Sequence, residues 1–262
     1  MCTEDPGIRN GARCPIAGTR HPCTMSTLRS ELDLSTADAT AEVAGACATS
    51  LQGERIELLA ERALHWVCEH TVFVADVHLG KAAAFRAGGV PLPRGSTAAD
   101  LARLSAILAQ TQAKRLVVLG DFLHAAAGRV AGLDATFRQW RDRHAAIEMI
   151  LVRGNHDDRA GDPPPKWQVR VVDEPYPMAP FLACHFPVAP RTGYALCGHV
   201  HPGVTLRGSA DQSERVPCFV LGRRRAILPA FGGFTGLARA EPMAGDRLVV
   251  VAGSRLFALP PG

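Results

Sequence analysis

Three short apolar runs, "TVFVAD" (71–76), "RLVVLG" (115–120) and "EMILVR" (148–153), set the strongest limit on what this chain can fold into. Each is rich in aliphatic and β-branched residues, and each ends at a glycine or a polar side chain. Such runs read as strands buried on both faces, as in a sheet covered by helices. Between the first two lies "STAADLARLSAILAQTQA" (96–113), where Leu101, Leu104, Ile107 and Leu108 recur at helical spacing. Ser96 or Thr97 is placed to cap that helix. Between the second and third lies "DATFRQWRDRHAAIE" (134–148), a helix with Phe137 and Trp140 on its inner face. Strand, helix, strand, helix, strand is the α/β pattern.

After Pro163–Pro164–Pro165 the character changes. "WQVRVVD", "FLACHF", "GYALCG", "CFVLG", "RAILP", "RLVVVAG" and "RLFALP" follow at close spacing and predict a second, more antiparallel sheet. "FRAGGVPLPRGST" (85–97), rich in Gly and Pro, reads as a loop. A hydrophobic content of 47% is enough for a sizeable core. Residues 1–50 contribute little to it: they carry few bulky apolar side chains and no lasting period. They also lack the apolar stretch of a signal peptide. The expectation is a poorly ordered extension over 1–48, with Met25 a candidate start, and a single domain over 49–262.

No apolar run approaches the roughly 18 residues of a membrane span. The eight cysteines include no C-x-x-C pair, which argues against a zinc ribbon or a thioredoxin-like site. Reduced thiols in a cytoplasm are the simpler reading. Cys184 and Cys197 lie beside histidines, but their flanks "FLAC" and "YALC" look like buried strands.

Chemistry gathers at the strand ends. After the first run come Asp76 and His78, after the second Asp121 and His124, and after the third Asn155 and His156. "FLAC" is followed by His185, and "GYALCG" by His199 and His201. Alternation in an extended segment would put Asp76 and His78 on one side. In α/β folds the ligand crevice lies beyond the carboxyl ends of the strands, so five such clusters can converge on one site. Carboxylate, imidazole and amide without thiolate suit manganese, iron or zinc.

The ordered blocks "ADVHLG", "LGDFLH", "RGNHDD", "CHFP" and "GHVHP" resemble the calcineurin-like metallophosphoesterase superfamily across residues 71–202. The resemblance implies a four-layer α/β/β/α sandwich of two mixed β-sheets flanked by helices. It implies two divalent metal ions, with manganese favoured and iron or zinc compatible. Asp76, His78 and His201 would hold the first metal, Asn155, His185 and His199 the second, and Asp121 would bridge them. His156 would contact the phosphate as an acid or a transition-state stabiliser, and Asp157 would orient it. Phosphoester hydrolysis by metal-activated hydroxide then needs no protein nucleophile. Gly154 would let the chain turn, and Asp158 has no role beyond turn or cap.

"LQGERIELLAERALHW", "ADVHLGKAAAFRAGGVPLPRGSTAADLARL" and "ILPAFGGFTG" carry a closer resemblance, over about residues 51–260, to bacterial ligase-associated metallophosphoesterases, a family of DNA damage response endonucleases. Leu237 stands where a second glycine is expected. That resemblance implies DNA as substrate and association with an ATP-dependent DNA ligase, a helicase and an exonuclease. A net charge of +4 is compatible with a polyanion. Lys81, Arg86 and Arg94, in the loop after the first motif, and His124 are the candidate substrate contacts. Aromatics, at 6%, give no sign of a base-stacking channel. A phosphatase or diphosphatase of a small nucleotide is the second reading. A non-enzymatic repair scaffold is the third, disfavoured because every ligand position is filled.

Overall fold

The protein is described by a computed structural model covering residues 32–33, 42–92, 95–126, 130, 132–207 and 213–259. Two short strands, β1 (Leu32–Asp33) and β2 (Glu42–Ala44), join the second of two sheets. The first sheet runs in spatial order β3 (Ala46–Leu51), β4 (Glu54–Leu59), β5 (Ala63–Trp66), β6 (Thr71–Val74), β7 (Arg115–Leu119), β8 (Glu148–Val152) and β9 (Arg170–Val172). It is antiparallel from β3 to β6 and parallel from β6 to β9. The second sheet contains β10 (Tyr176–Met178), β11 (Phe181–Ala183), β12 (Tyr194–Cys197), β13 (Pro202–Arg207), β14 (Ser213–Leu221), β15 (Arg225–Ile227), β16 (Ala238–Arg239), β17 (Arg247–Ala252) and β18 (Arg255–Leu259). Its main order is β10-β11-β12-β15-β14-β17-β18-β2. It is mixed, because β11, β12 and β15 pair in parallel.

Helices α1 (Lys81–Ala87), α2 (Ser96–Thr111), α3 (Leu133–Arg143) and α4 (Asn155–Ala160) complete a fold of two mixed sheets flanked by helices. The main core lies between the sheets. There Ile56, Phe73, Val117 and Ile150 of the first sheet meet Phe181, Tyr194, Leu196 and Phe219 of the second. On the other side of the first sheet, Val72, Val74, Leu116 and Val118 pack against Leu101, Leu104, Ile107 and Leu108 of α2 and Phe137 and Trp140 of α3. Uninterrupted apolar strands follow from this: β6 is buried at every position because both faces are covered. Cys184, Cys197 and Cys218 sit in a third apolar cluster, as small buried hydrophobes.

Three local expectations change. "WQVRVVD" joins the first sheet, where β9 lies parallel to β8. The crossover is anchored by Trp167, whose ring stacks 4.1 Å from that of Phe137 on the helical side. A strand returning from such a crossover lands parallel. The expected 85–97 loop is shorter, because the alanine-rich "KAAAFRA" forms α1. Ser96 is the first residue of α2 and not its cap; Gly95, at φ 89°, takes that place without a side-chain capping bond. Most of residues 1–48 lie outside the described residues, while β2 pairs with β18 and β3 with β4.

Phe137 tests the helical layer. Its ring is fully buried and contacts Phe122, Trp140 and Trp167. Phe137→Ala is expected to lower the unfolding free energy by about 3–5 kcal/mol in urea denaturation. A loss below about 1 kcal/mol would mean that the layer closes over the gap.

Candidate metal centre

The parallel strands β6, β7 and β8 end on one edge, and the chain stays paired just beyond it. The Asp76 N–H donates to Gly120 O (3.1 Å), and the His78 N–H to Asp121 O (2.9 Å). Asp76, His78 and Asp121 have φ of 53°, 49° and 52°, and His199 and His201 have 70° and 51°. Left-handed backbone is uncommon outside glycine and costs on the order of 1 kcal/mol or more; it concentrates where function requires it. Asp76 and His78 therefore reach one site through left-handed turns, not through the alternation of an extended strand.

Three clusters of ligand atoms result, two of them matching the expected sets and the third made of His78, His124 and His156. The ligand atoms of Asp76, His78 and His201 lie within 4.8 Å of one another, and so do those of Asp121, His185 and His199. In the first, His201 Nε2 is 3.3 Å from Asp76 Oδ1. In the second, His185 Nε2 is 3.0 Å from both His199 Nδ1 and Asn155 Oδ1. Asp121 faces both sets: Oδ1 is 3.5 Å from His185 Nε2, and Oδ2 is 3.7 Å from His78 Nε2.

The surrounding bonds leave nitrogens aimed inward. His185 Nδ1 is 3.1 Å from Leu119 O, which turns Nε2 toward the site, and His201 Nδ1 is 3.1 Å from Gly236 O. Among the described residues, both nitrogens of His78 are buried without a hydrogen-bond partner. Burial, with Lys81 and neighbouring histidines adding to it, pushes His78 down to about 2, so its ring is neutral. Burial also lowers His199. Buried unpaired nitrogens each cost about 1–3 kcal/mol. Imidazoles converging on two carboxylates and an amide oxygen are what a divalent cation satisfies.

Further groups gather beside His78. The His156 ring is 4.9 Å from it, stacks on His124 at 5.6 Å, and has Nε2 3.9 Å from Asp121 Oδ2. Burial lowers Lys81, on the first turn of α1, while the charges of Asp121 and Asp76 act to raise it. Lys81 and Arg86 therefore lie on a helix, Arg86 in its last turn, and not in a loop; Arg94 lies outside the described residues. Three exposed phenylalanines border the cluster. Phe85 (42% exposed) stacks on His124, Phe186 (43%) lies on His199, and Phe234 (38%) shares a cavity with His78 and Lys81. The low aromatic content hid this, because most of the rings are in the core and the three exposed phenylalanines all lie here.

Two assignments are corrected. The Asp157 carboxylate is fully buried and accepts the backbone N–H groups of Leu123 and Gly154, each at 3.0 Å. It ties two loops together, and among the described residues these backbone groups, not the His156 ring, are its hydrogen-bond partners. Asp157→Asn, which sets an NH2 donor against one of those two N–H groups, is expected to destabilise the metal-free protein by about 1–3 kcal/mol in thermal or urea unfolding. An unchanged transition would contradict this role. Gly154 is extended (φ −105°, ψ 171°), so it makes no turn. Its function is closeness: a Cβ there would lie 2.5 Å from both N and Oδ1 of Asp121. The sequence reading also missed Glu174, whose Oε2 accepts the N–H groups of His185 (2.6 Å) and Phe186 (3.0 Å). Nothing in the pattern around Glu174 signals that role.

Fold and site together define a metal-dependent phosphoesterase. Residues 70–201 match the calcineurin-like phosphoesterase family, and the chain belongs to it. A comparison with curated proteins gave no match. Among solved structures the chain is similar to the Pseudomonas putida nuclease MPE, with 39% identity over 82% of this chain and 100% of that one and a TM-score of 0.72.

Proposed function

We propose that this protein is a dinuclear, divalent-metal-dependent phosphodiesterase that cleaves DNA in repair. The observation that carries the reading is the Asp121 carboxylate, which faces two complete ligand sets at once. Asp76, His78 and His201 would hold one metal, Asn155, His185 and His199 the other, and Asp121 both. Manganese suits these donors, and iron or zinc also fit. Bound metals would supply Lewis-acid activation of water and of the phosphoryl oxygens.

The chain's own residues do the rest. His156, half-exposed beside Asp121, donates a hydrogen bond or a proton to an oxygen where charge develops. His124, stacked on it, and Lys81 face the same phosphate. Arg86 and Arg94 are assigned to flanking phosphates. The exposed rings of Phe85, Phe186 and Phe234 suit bases beside the scissile bond. The nuclease among the similar solved structures supports a nucleic-acid substrate. A small-nucleotide phosphatase would call for an enclosed pocket, yet the cavity beside His78 and Lys81 holds about 10 Å³, room for one water. Work alongside an ATP-dependent DNA ligase, a helicase and an exonuclease, in the cytoplasm, belongs to the same proposal.

His156→Ala is expected to keep both metals and lose about 10²–10⁴-fold in kcat. Metal analysis with steady-state kinetics checks this, and an unchanged kcat would remove His156 from the mechanism. Supercoiled plasmid with manganese tests the DNA reading. Nicking by the wild type and not by His156→Ala supports it; intact plasmid, with small phosphomonoesters hydrolysed, would overturn it.

A further inference from the structure

Residues 230–238, "AFGGFTGLA", form a strap between the two ends of one ligand set. At one end, the Phe231 N–H donates to Ala75 O (2.8 Å) and the Gly232 N–H to Asp76 O (3.1 Å). At the other, Gly236 O lies 3.1 Å from His201 Nδ1, and the Ala238 N–H donates to His201 O (3.0 Å). The strap presses closely on the first motif: a Cβ on Gly232 would sit 2.5 Å from Val77 O. It is pinned from α2. The Arg103 guanidinium lies 3.9 Å from the Phe231 ring centroid and donates to Phe231 O. Asp100 Oδ1 accepts the Gly233 N–H (3.3 Å) and pairs with Arg103 at 3.4 Å.

Asp100 is only 8% exposed and the Arg103 side chain 29%, so this pin is a partly buried ion pair. Such pairs add little stability over apolar side chains of similar volume. What this one does is fix two strap peptides against α2. Through them it sets where Gly236 O meets His201 and where Gly232 meets Asp76. We propose that Asp100 and Arg103 are positioning residues for the metal held by Asp76, His78 and His201, acting through the strap. The inference rests on the dinuclear reading above. Partners that orient a ligating histidine typically contribute about 10–100-fold to metal affinity.

The test is a manganese(II) titration of metal-stripped protein, followed by electron paramagnetic resonance and calorimetry. Wild type is expected to bind two ions. Arg103→Met is expected to weaken one of them by about 10–100-fold and leave the other unchanged, with Arg103→Lys recovering part of the loss. Asp100→Asn, which keeps an acceptor for Gly233, should weaken the same ion less. A purely structural role would lower both affinities together, or shift only the melting temperature of metal-free protein, and either result overturns the proposal. If Arg103→Met does not fold, Arg103→Lys and Asp100→Asn answer alone: one selectively weakened ion supports the pin, and wild-type isotherms overturn it. A wild type that binds fewer than two ions overturns the dinuclear reading itself. Two ions in wild type with unaltered variants overturn only the pin.

Discussion

Asp121→Ala is expected to lose both metals and more than about 10³-fold of turnover, beyond the usual effect of removing one charge-stabilising group. The residue is buried, and each oxygen already has a role. Oδ1 accepts the His156 N–H at 2.8 Å and lies 3.5 Å from His185 Nε2, while Oδ2 lies 3.7 Å from His78 Nε2 and 3.9 Å from His156 Nε2. Without it, each ligand set loses the carboxylate that faces it, and Asp76 is left as the only acid among the assigned ligands. One substitution thus removes charge compensation from both halves. Asp121→Asn keeps the shape and the His156 contact but not the charge, so it should retain the fold and still lose metal. Elemental analysis after dialysis, beside kinetics at saturating manganese, checks both variants. Two ions retained in Asp121→Ala would contradict the shared-carboxylate geometry.

Gly120→Ala is the second large effect, and it touches no ligand chemically. Gly120 has φ of 78°, where an L side chain is strained. A Cβ there would also lie 2.1 Å from His185 Nδ1 and 2.4 Å from its Cγ. His185 has little room to yield, because Glu174 holds its N–H and Leu119 O holds Nδ1. The ring must leave its position, and Asn155 and His199 lose their common neighbour. The variant is expected to bind about one manganese in place of two, with at least about 10²-fold lower activity. Strain should also lower the stability of metal-free protein by about 1–2 kcal/mol. Full metal content in Gly120→Ala would mean that His185 is not a ligand.

The parts of this fold that sequence reveals are those whose cause is local. β6, β7 and β8 are uninterrupted apolar runs because both faces are buried, and α2 repeats its leucines because one face is. The polar residues after those strands are legible because a buried strand end has few other reasons to carry Asp, His and Asn together. What stays hidden depends on distant partners. β9 belongs to the first sheet because Trp167 docks on Phe137, which nothing in "WQVRVVD" reveals. Asp157 looks like a partner for its neighbour His156, yet backbone N–H groups at Leu123 and Gly154 take its carboxylate. Gly154 resembles a turn residue and is instead a point of contact with Asp121. Asp100 and Arg103 read as ordinary helix charges until the strap closes over them.

The central claim is that one centre with two metals hydrolyses phosphodiesters. The most direct measurement is hydrolysis of bis-p-nitrophenyl phosphate against p-nitrophenyl phosphate by metal-stripped protein titrated with manganese. The account predicts no turnover without metal, preference for the diester, and activity that saturates at two ions per chain. Turnover by metal-free protein, or preference for the monoester, would contradict it.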